Sequence, residues 1–268
     1  MGADAFVRPT VSIHMHTHDH PAEAGLLRAR QSLEGLSCGD AFGERFFIRP
    51  DVAPSLIEQR AVPAPPWIFT DDTMMALSIV ETLENYGYIR QDQLTSSFAK
   101  NYDSGRGYGP AMHNLLAEIR RVPDCWRAEA KTLFDGEGSF GNGSAMRVAP
   151  LGAYFADDVG RIPEQAALSA ETTHCHPEAL SGAIAVALAA AAAWQFRQSG
   201  EMPAPTEFLQ WIAHRTPVSA VRQGIERAAA LPEGTPINRA VAALGNGKLL
   251  SRHSAFRSMV RGSPSQQL

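Results

Sequence analysis

The chain has 268 residues, 44% of them apolar and 19% charged, with a formal net charge of −4. This composition excludes a disordered or fibrous chain and suits one large packed domain, while the mild acidity gives no broad attraction to nucleic acid or anionic lipid. Cys38, Cys125 and Cys175 are too few and too scattered for a disulfide framework or a zinc knuckle, and the first 25 residues lack a signal-peptide pattern, so a reducing, cytoplasmic setting is expected.

Residues 1–22 read as a flexible, histidine-rich segment, with Val11-Ser12-Ile13 as its one strand-like run. Leu26, Leu27, Leu33 and Leu36 approximate helical spacing, which predicts a first helix over about 23–36, ended by the turn formers Cys38-Gly39-Asp40. From there to about residue 69, Pro50, Pro54, Pro63, Pro65 and Pro66 favour an extended loop. Thr70-Asp71-Asp72-Thr73 then opens an amphipathic helix whose Ala76, Ile79, Val80 and Leu83 fall at i, i+3, i+4 and i+7.

A helix starting at Asp92 follows, then a Gly-rich loop over 101–109 and a helix begun by Pro110 with Met112, Leu115, Leu116 and Ile119 facing inward. Gly141-Asn142-Gly143-Ser144 punctuates the chain before a helix near 145–156. Pro177 begins an alanine-rich helix over about 177–198, and shorter helices are expected at 163–172, 206–214, 218–230 and 236–244. Leu180 to Phe196 is short for a membrane span and owes its apolarity to alanine, so a buried helix explains it better. Runs of β-branched residues with period-two alternation are scarce, and the fold class that results is all-α. Lys248 to Leu268 carries four basic residues and no acid, and is expected to form a basic tail.

Three constellations carry chemistry. Asp71 and Asp72, flanked by Thr70 and Thr73, offer the hard oxygen ligands that Mg²⁺ selects, at a helix N-terminus with free backbone donors; taken alone, Thr70 or Asp71 could equally be an N-cap. The segment Gly141 to Arg147 lets a ligand approach the backbone and can form an anion nest, although an ordinary Gly-rich turn has the same composition. His174, Cys175 and His176 precede the alanine-rich helix, where imidazoles serve as hydrogen-bonding groups more often than as metal ligands. The run His14, His16, His18, His20 resembles the opening metal motif of the amidohydrolases, but such a barrel needs about eight strand–helix repeats, which the pattern does not supply.

Together these segments resemble the ADP-ribosylglycohydrolase family: SLEGLSCGDAFGERFF at 32–47, FTDDTMMALSIVETL at 69–83, GNGSAMRVAPLGAYF at 141–155 and THCHPEALSGAIAVALAAA at 173–191, with LGNG at 244–247 as a further match. The resemblance implies a compact orthogonal multi-helix bundle over residues 23–247, ahead of the divergent tail at 248–268. It implies two Mg²⁺ or Mn²⁺ ions beside ADP-ribose, with Thr70, Asp71 and Asp72 as metal ligands. It implies Asn142, Gly143, Ser144, Met146 and His174 as substrate-binding residues, and Asp71 and Asp72 as catalytic. The family's usual glutamate falls in register with Phe47 here, which leaves Glu44 as the nearest candidate acid.

The implied reaction removes ADP-ribose from a modified protein side chain, or from a small ADP-ribose compound, at the anomeric carbon. The family's late Asp-x-Asp-Thr motif is missing, since the last aspartate is Asp158, so weak or single-ion binding is expected. A catalytically weak ADP-ribose-binding relative is the alternative.

Overall fold

A computed structural model describes residues 21–47, 53–201 and 203–244. Among these, twelve α-helices and a few 3₁₀ turns form the fold, and no strand is present. The all-α expectation stands, and the barrel reading of the amidohydrolase motif falls with it. The N-terminal histidines, Val11-Ser12-Ile13 and the basic tail lie outside the described residues.

The first helix differs most from expectation. α1 runs from Pro21 to Phe47, straight through Cys38-Gly39-Asp40. Glycine in a helix interior costs about 1 kcal/mol, and here tertiary bonds to Asp40 hold the helical turn that propensity alone would release. The following loop contains a short helix, α2 (Ala53–Glu58), that the prolines concealed.

α3 (Asp71–Tyr86) begins where expected, with Thr70 as its N-cap and Gly87 ending it in the left-handed conformation. α4 (Gln91–Asn101) and α5 (Pro110–Arg121) follow, with Met112, Leu115, Leu116 and Ile119 buried as the spacing predicts. α6 (Trp126–Thr132) was not foreseen, because seven residues give too short a window for periodicity. The helix expected near 145–156 is only α7 (Ala149–Tyr154), preceded by a 3₁₀ turn at 142–144. The remaining helices sit close to their expected places: α8 (Ile162–Glu171), α9 (Pro177–Ser199), α10 (Pro205–Arg215), α11 (Ala220–Ala229) and α12 (Ile237–Leu244).

Short as it is, α7 lies at the centre, packed between α1 and α9. Gly152 permits the crossing: a Cβ there would stand 2.0 Å from the Ala187 carbonyl oxygen. The buried Arg28 of α1 donates from Nε to the Ala153 carbonyl at 2.9 Å and from Nη2 to Tyr154 at 3.1 Å, capping the C-terminal carbonyls of α7, and pairs with Asp157 at 2.6 Å. α9 is long and apolar enough to cross a membrane by composition. Here its Ala183, Ala187, Leu188 and Ala191 are buried, with α7, α8, α10 and α11 packed around it.

Candidate functional site

One cavity of about 990 Å³ joins segments far apart in the chain, and its volume lies at the upper end of those that hold cofactor-sized ligands. One wall is the C-terminal part of α1, with Gly39, Asp40, Gly43 and Glu44; the floor is the start of α3, with Thr70, Asp71, Asp72 and Met75. Opposite lie Ser139 to Gly143, Met146 and His174, and the start of α5 closes the side with Gly109 to Met112. Gly39, Asp40, Gly43 and Glu44 share a helix face only because α1 continues past the expected stop.

The acidic end is organised by Asp40, which the sequence reading passed over as part of a turn. Its Oδ2 accepts from Thr70 N at 2.8 Å, Thr73 N at 3.2 Å and Thr73 Oγ1 at 2.6 Å, and its Oδ1 accepts from Thr70 Oγ1 at 2.7 Å. Two orphan amides at the α3 N-terminus thus find a partner on another helix. Asp71 N donates to Arg106 O at 2.7 Å, and the Arg106 guanidinium stacks on the Phe69 ring while bonding its carbonyl, which seats the 102–109 loop against the same helix start.

Burial first, then the neighbouring Asp72 and Asp40 charges, push the Asp71 carboxyl up to about 6. Asp72 is raised by burial and by Asp40, with a smaller push from Glu44, which places the Glu44 carboxylate within electrostatic reach. Neither Asp71 nor Asp72 forms an ion pair among the described residues.

This donor set fits one hard cation. Thr70 Oγ1 and Asp72 Oδ1 lie 3.5 Å apart, and the single hydroxyl hydrogen of Thr70 is already given to Asp40. Two lone-pair-bearing oxygens therefore face each other with no proton between them. A fuller cage is missing for one ion as for two: among the described residues no group of three or more His, Cys, Asp or Glu is placed to hold a metal.

At the other end, His174 is almost fully buried, and burial, with the Arg147 charge adding to it, pulls its pKa down to about 3; the ring is neutral at physiological pH. Its Nδ1 lies 2.7 Å from Thr173 Oγ1. The ring presses on the glycine loop so closely that a Cβ on Gly143 would come within 2.6 Å of it.

Asn142, Gly143 and Met146 line the cavity as expected of substrate-binding residues, but the Ser144 side chain does not join them: it is fully buried and donates to the Ala179 carbonyl at 3.0 Å. Ser144 as a whole is buried behind the cavity wall, which leaves Asn142 and Gly143 as the part of this turn that faces a ligand. Behind the floor, Arg147 is fully buried, bonded to Ser169 O at 2.8 Å and stacked 4.5 Å from the Phe98 ring. Burial lowers its pKa to about 9, opposed by the charges of Asp71 and Tyr108.

The wall at Gly109–Met112 and the Phe140 ring were not foreseen, and no motif marked them. Asp40, by contrast, stands inside the first quoted segment. The side chain of Phe47 lies outside the described residues.

The sequence profile of the ADP-ribosylglycohydrolase family matches residues 22–264. Among similar proteins, "ADP-ribosylhydrolase ARH3" of Gallus gallus is 35% identical over 176 residues, covering 64% of this chain and 46% of that protein. The protein of the same name from Xenopus tropicalis is 35% identical over 207 residues, covering 70% and 55%. That from Homo sapiens is 35% identical over 137 residues, covering 50% and 37%. The chain spans about half the length of these relatives.

Proposed function

We propose, from the premise that this chain belongs to the ADP-ribosylglycohydrolase family, that it is a hydrolase removing ADP-ribose from modified protein side chains, assisted by a divalent cation. One observation carries the reading: a single cavity joins the Thr70-Asp71-Asp72 helix start, the α1 acid Glu44, and the Asn142–Gly143 loop with His174. The acid end suits the reacting ribose, and the glycine loop suits phosphate or ribose oxygens that need backbone donors.

Thr70, Asp71 and Asp72 are the residues that would hold Mg²⁺ or Mn²⁺. When bound, the ion supplies positive charge against the ligand's diphosphate and polarises nearby oxygen atoms. Water attacks the anomeric carbon, the bond from that carbon to the side-chain oxygen or nitrogen breaks, and the proton lost by water ends on the leaving group. With Asp71 and Asp72 committed to the ion and Asp40 to Thr70 and Thr73, Glu44 is the lining carboxylate left to orient the water and take its proton. Asn142 and the backbone of Gly143 orient the ligand. His174, neutral and wedged against Gly143, keeps that loop in place and offers no charge to the nucleotide end.

The second reading, an ADP-ribose-binding relative with little turnover, is favoured because among the described residues no group of three or more His, Cys, Asp or Glu is placed to hold a metal. Release of ADP-ribose from modified protein, measured with and without Mg²⁺, separates the two. Wild type is expected to turn over with Mg²⁺, and Asp71→Asn/Asp72→Asn to lose at least about 100-fold. Calorimetric binding of ADP-ribose without turnover would select the second reading, and full activity in the double variant would remove the cation assignment. Three unpaired cysteines support a cytoplasmic location as part of the same proposal.

A further inference from the structure

We infer that Asp40 is a positioning residue that sets the proton of Thr70, turning its hydroxyl oxygen into a pure acceptor toward the cation site. The inference rests on the cation reading above and adds a residue to it. Asp40 touches neither Asp71 nor Asp72 through a hydrogen bond among the described residues; all four of its bonds go to Thr70 and Thr73.

A threonine hydroxyl has one hydrogen and two lone pairs. Two acceptors compete for that hydrogen, Asp40 Oδ1 at 2.7 Å and Asp72 Oδ1 at 3.5 Å, and the distances decide the matter. With the hydrogen on the Asp40 side, Thr70 and Asp72 present lone pairs to each other and to the cavity. Were Asp40 absent, the hydrogen would swing to Asp72, placing an O–H where an ion must sit and using one carboxylate oxygen.

The two oxygens of Asp40 also divide their tasks. Oδ2 holds the α3 N-terminus through Thr70 N, Thr73 N and Thr73 Oγ1, while Oδ1 serves only Thr70 Oγ1. Asp40→Asn separates these roles. The amide oxygen can replace Oδ2 before its three donors, which forces the NH₂ group against Thr70 Oγ1. That group donates, so the Thr70 hydrogen must turn toward the cavity while the helix start stays tied.

The test is Mn²⁺ binding by calorimetry and electron paramagnetic resonance on the full 268-residue chain, for wild type, Asp40→Asn and Thr73→Val. Thr73→Val removes one bond to the same carboxylate without touching Thr70, so it reports a purely structural role. Expected are Mn²⁺ binding by wild type, weakening by about 10- to 100-fold in Asp40→Asn, and affinity within about twofold in Thr73→Val even though its melting temperature falls.

Wild-type affinity in a folded Asp40→Asn protein would overturn this inference and leave the cation reading standing. If wild type itself binds no Mn²⁺, both fall. Should Asp40→Asn fail to fold by circular dichroism, Asp40→Glu decides, because the added methylene displaces the acceptor. Weaker Mn²⁺ binding then supports the role, and unchanged binding overturns it.

Discussion

His174 is buried as a neutral ring, and this ties the stability of the protein to pH. Its folded pKa of about 3 lies below the unfolded value of 6.5, so below pH 6.5 the unfolded chain binds a proton that the folded chain refuses. Stability from this group is therefore complete above pH 6.5 and is lost as pH falls toward 3. At pH 4.5 the loss is about 2–3 kcal/mol, taking about 1.4 kcal/mol for each pH step below 6.5. Denaturant midpoints at pH 7 and pH 4.5 check this: the difference should shrink by that amount in His174→Gln, whose side chain does not titrate. Asp71 works in the opposite sense, since a carboxyl raised to about 6 favours the folded state as pH falls from 6 toward 4. The variant comparison isolates the histidine from that background.

At the scale of a helix, α1 shows how a local cost can mark a binding face. Gly39 and Gly43 weaken the helix interior, yet a Cβ on either would meet nothing within 4 Å. The space beyond them is the cavity. Gly43→Ala is accordingly expected to stabilise the free protein by about 0.5–1 kcal/mol and to weaken ADP-ribose binding by reducing the room between Asp40 and Glu44. Thermal melting and calorimetric titration of one preparation check both signs; a variant that is neither more stable nor weaker in binding would mean the glycines are there for another reason. The start of α3 shows the complementary case, where Thr70 is at once an N-cap and a candidate ligand. The capping interpretation and the site interpretation describe the same geometry, because a capped helix start with acids in its first turn already gathers oxygen atoms in one place.

For the whole molecule, α7 and α9 set the distance across the cavity. The approach at Gly152 puts the α7 backbone against Ala187, and the segment leading into α9 carries His174 onto the glycine loop. Gly152→Ala would place a methyl group 2.0 Å from a backbone carbonyl, a conflict that no rotamer relieves. It is expected to cost more than about 3 kcal/mol and, by pushing α9 away, to weaken ligand binding as well. Gly182→Ala, on α9, is the control: its Cβ would sit 3.8 Å from Ala145 Cβ, an ordinary contact, and melting temperature and ADP-ribose affinity should both be retained.

The sequence by itself determined the helical class, the start of α3 with its paired aspartates, the buried faces of α3 and α5, and α9 as a buried alanine-rich helix, because each depends on neighbours within one or two turns. It also fixed that no aspartate follows Asp158. Only the tertiary structure decided that α1 continues through Cys38-Gly39-Asp40, since its bonds come from Thr70 and Thr73, thirty and thirty-three residues away. It alone turned Ser144 inward to Ala179, made His174 a neutral wedge and gave Asp40 its place beside Thr70. These are matters of where a side chain's hydrogen bonds and desolvation are settled, and in a bundle of helices that is decided by which helix packs alongside.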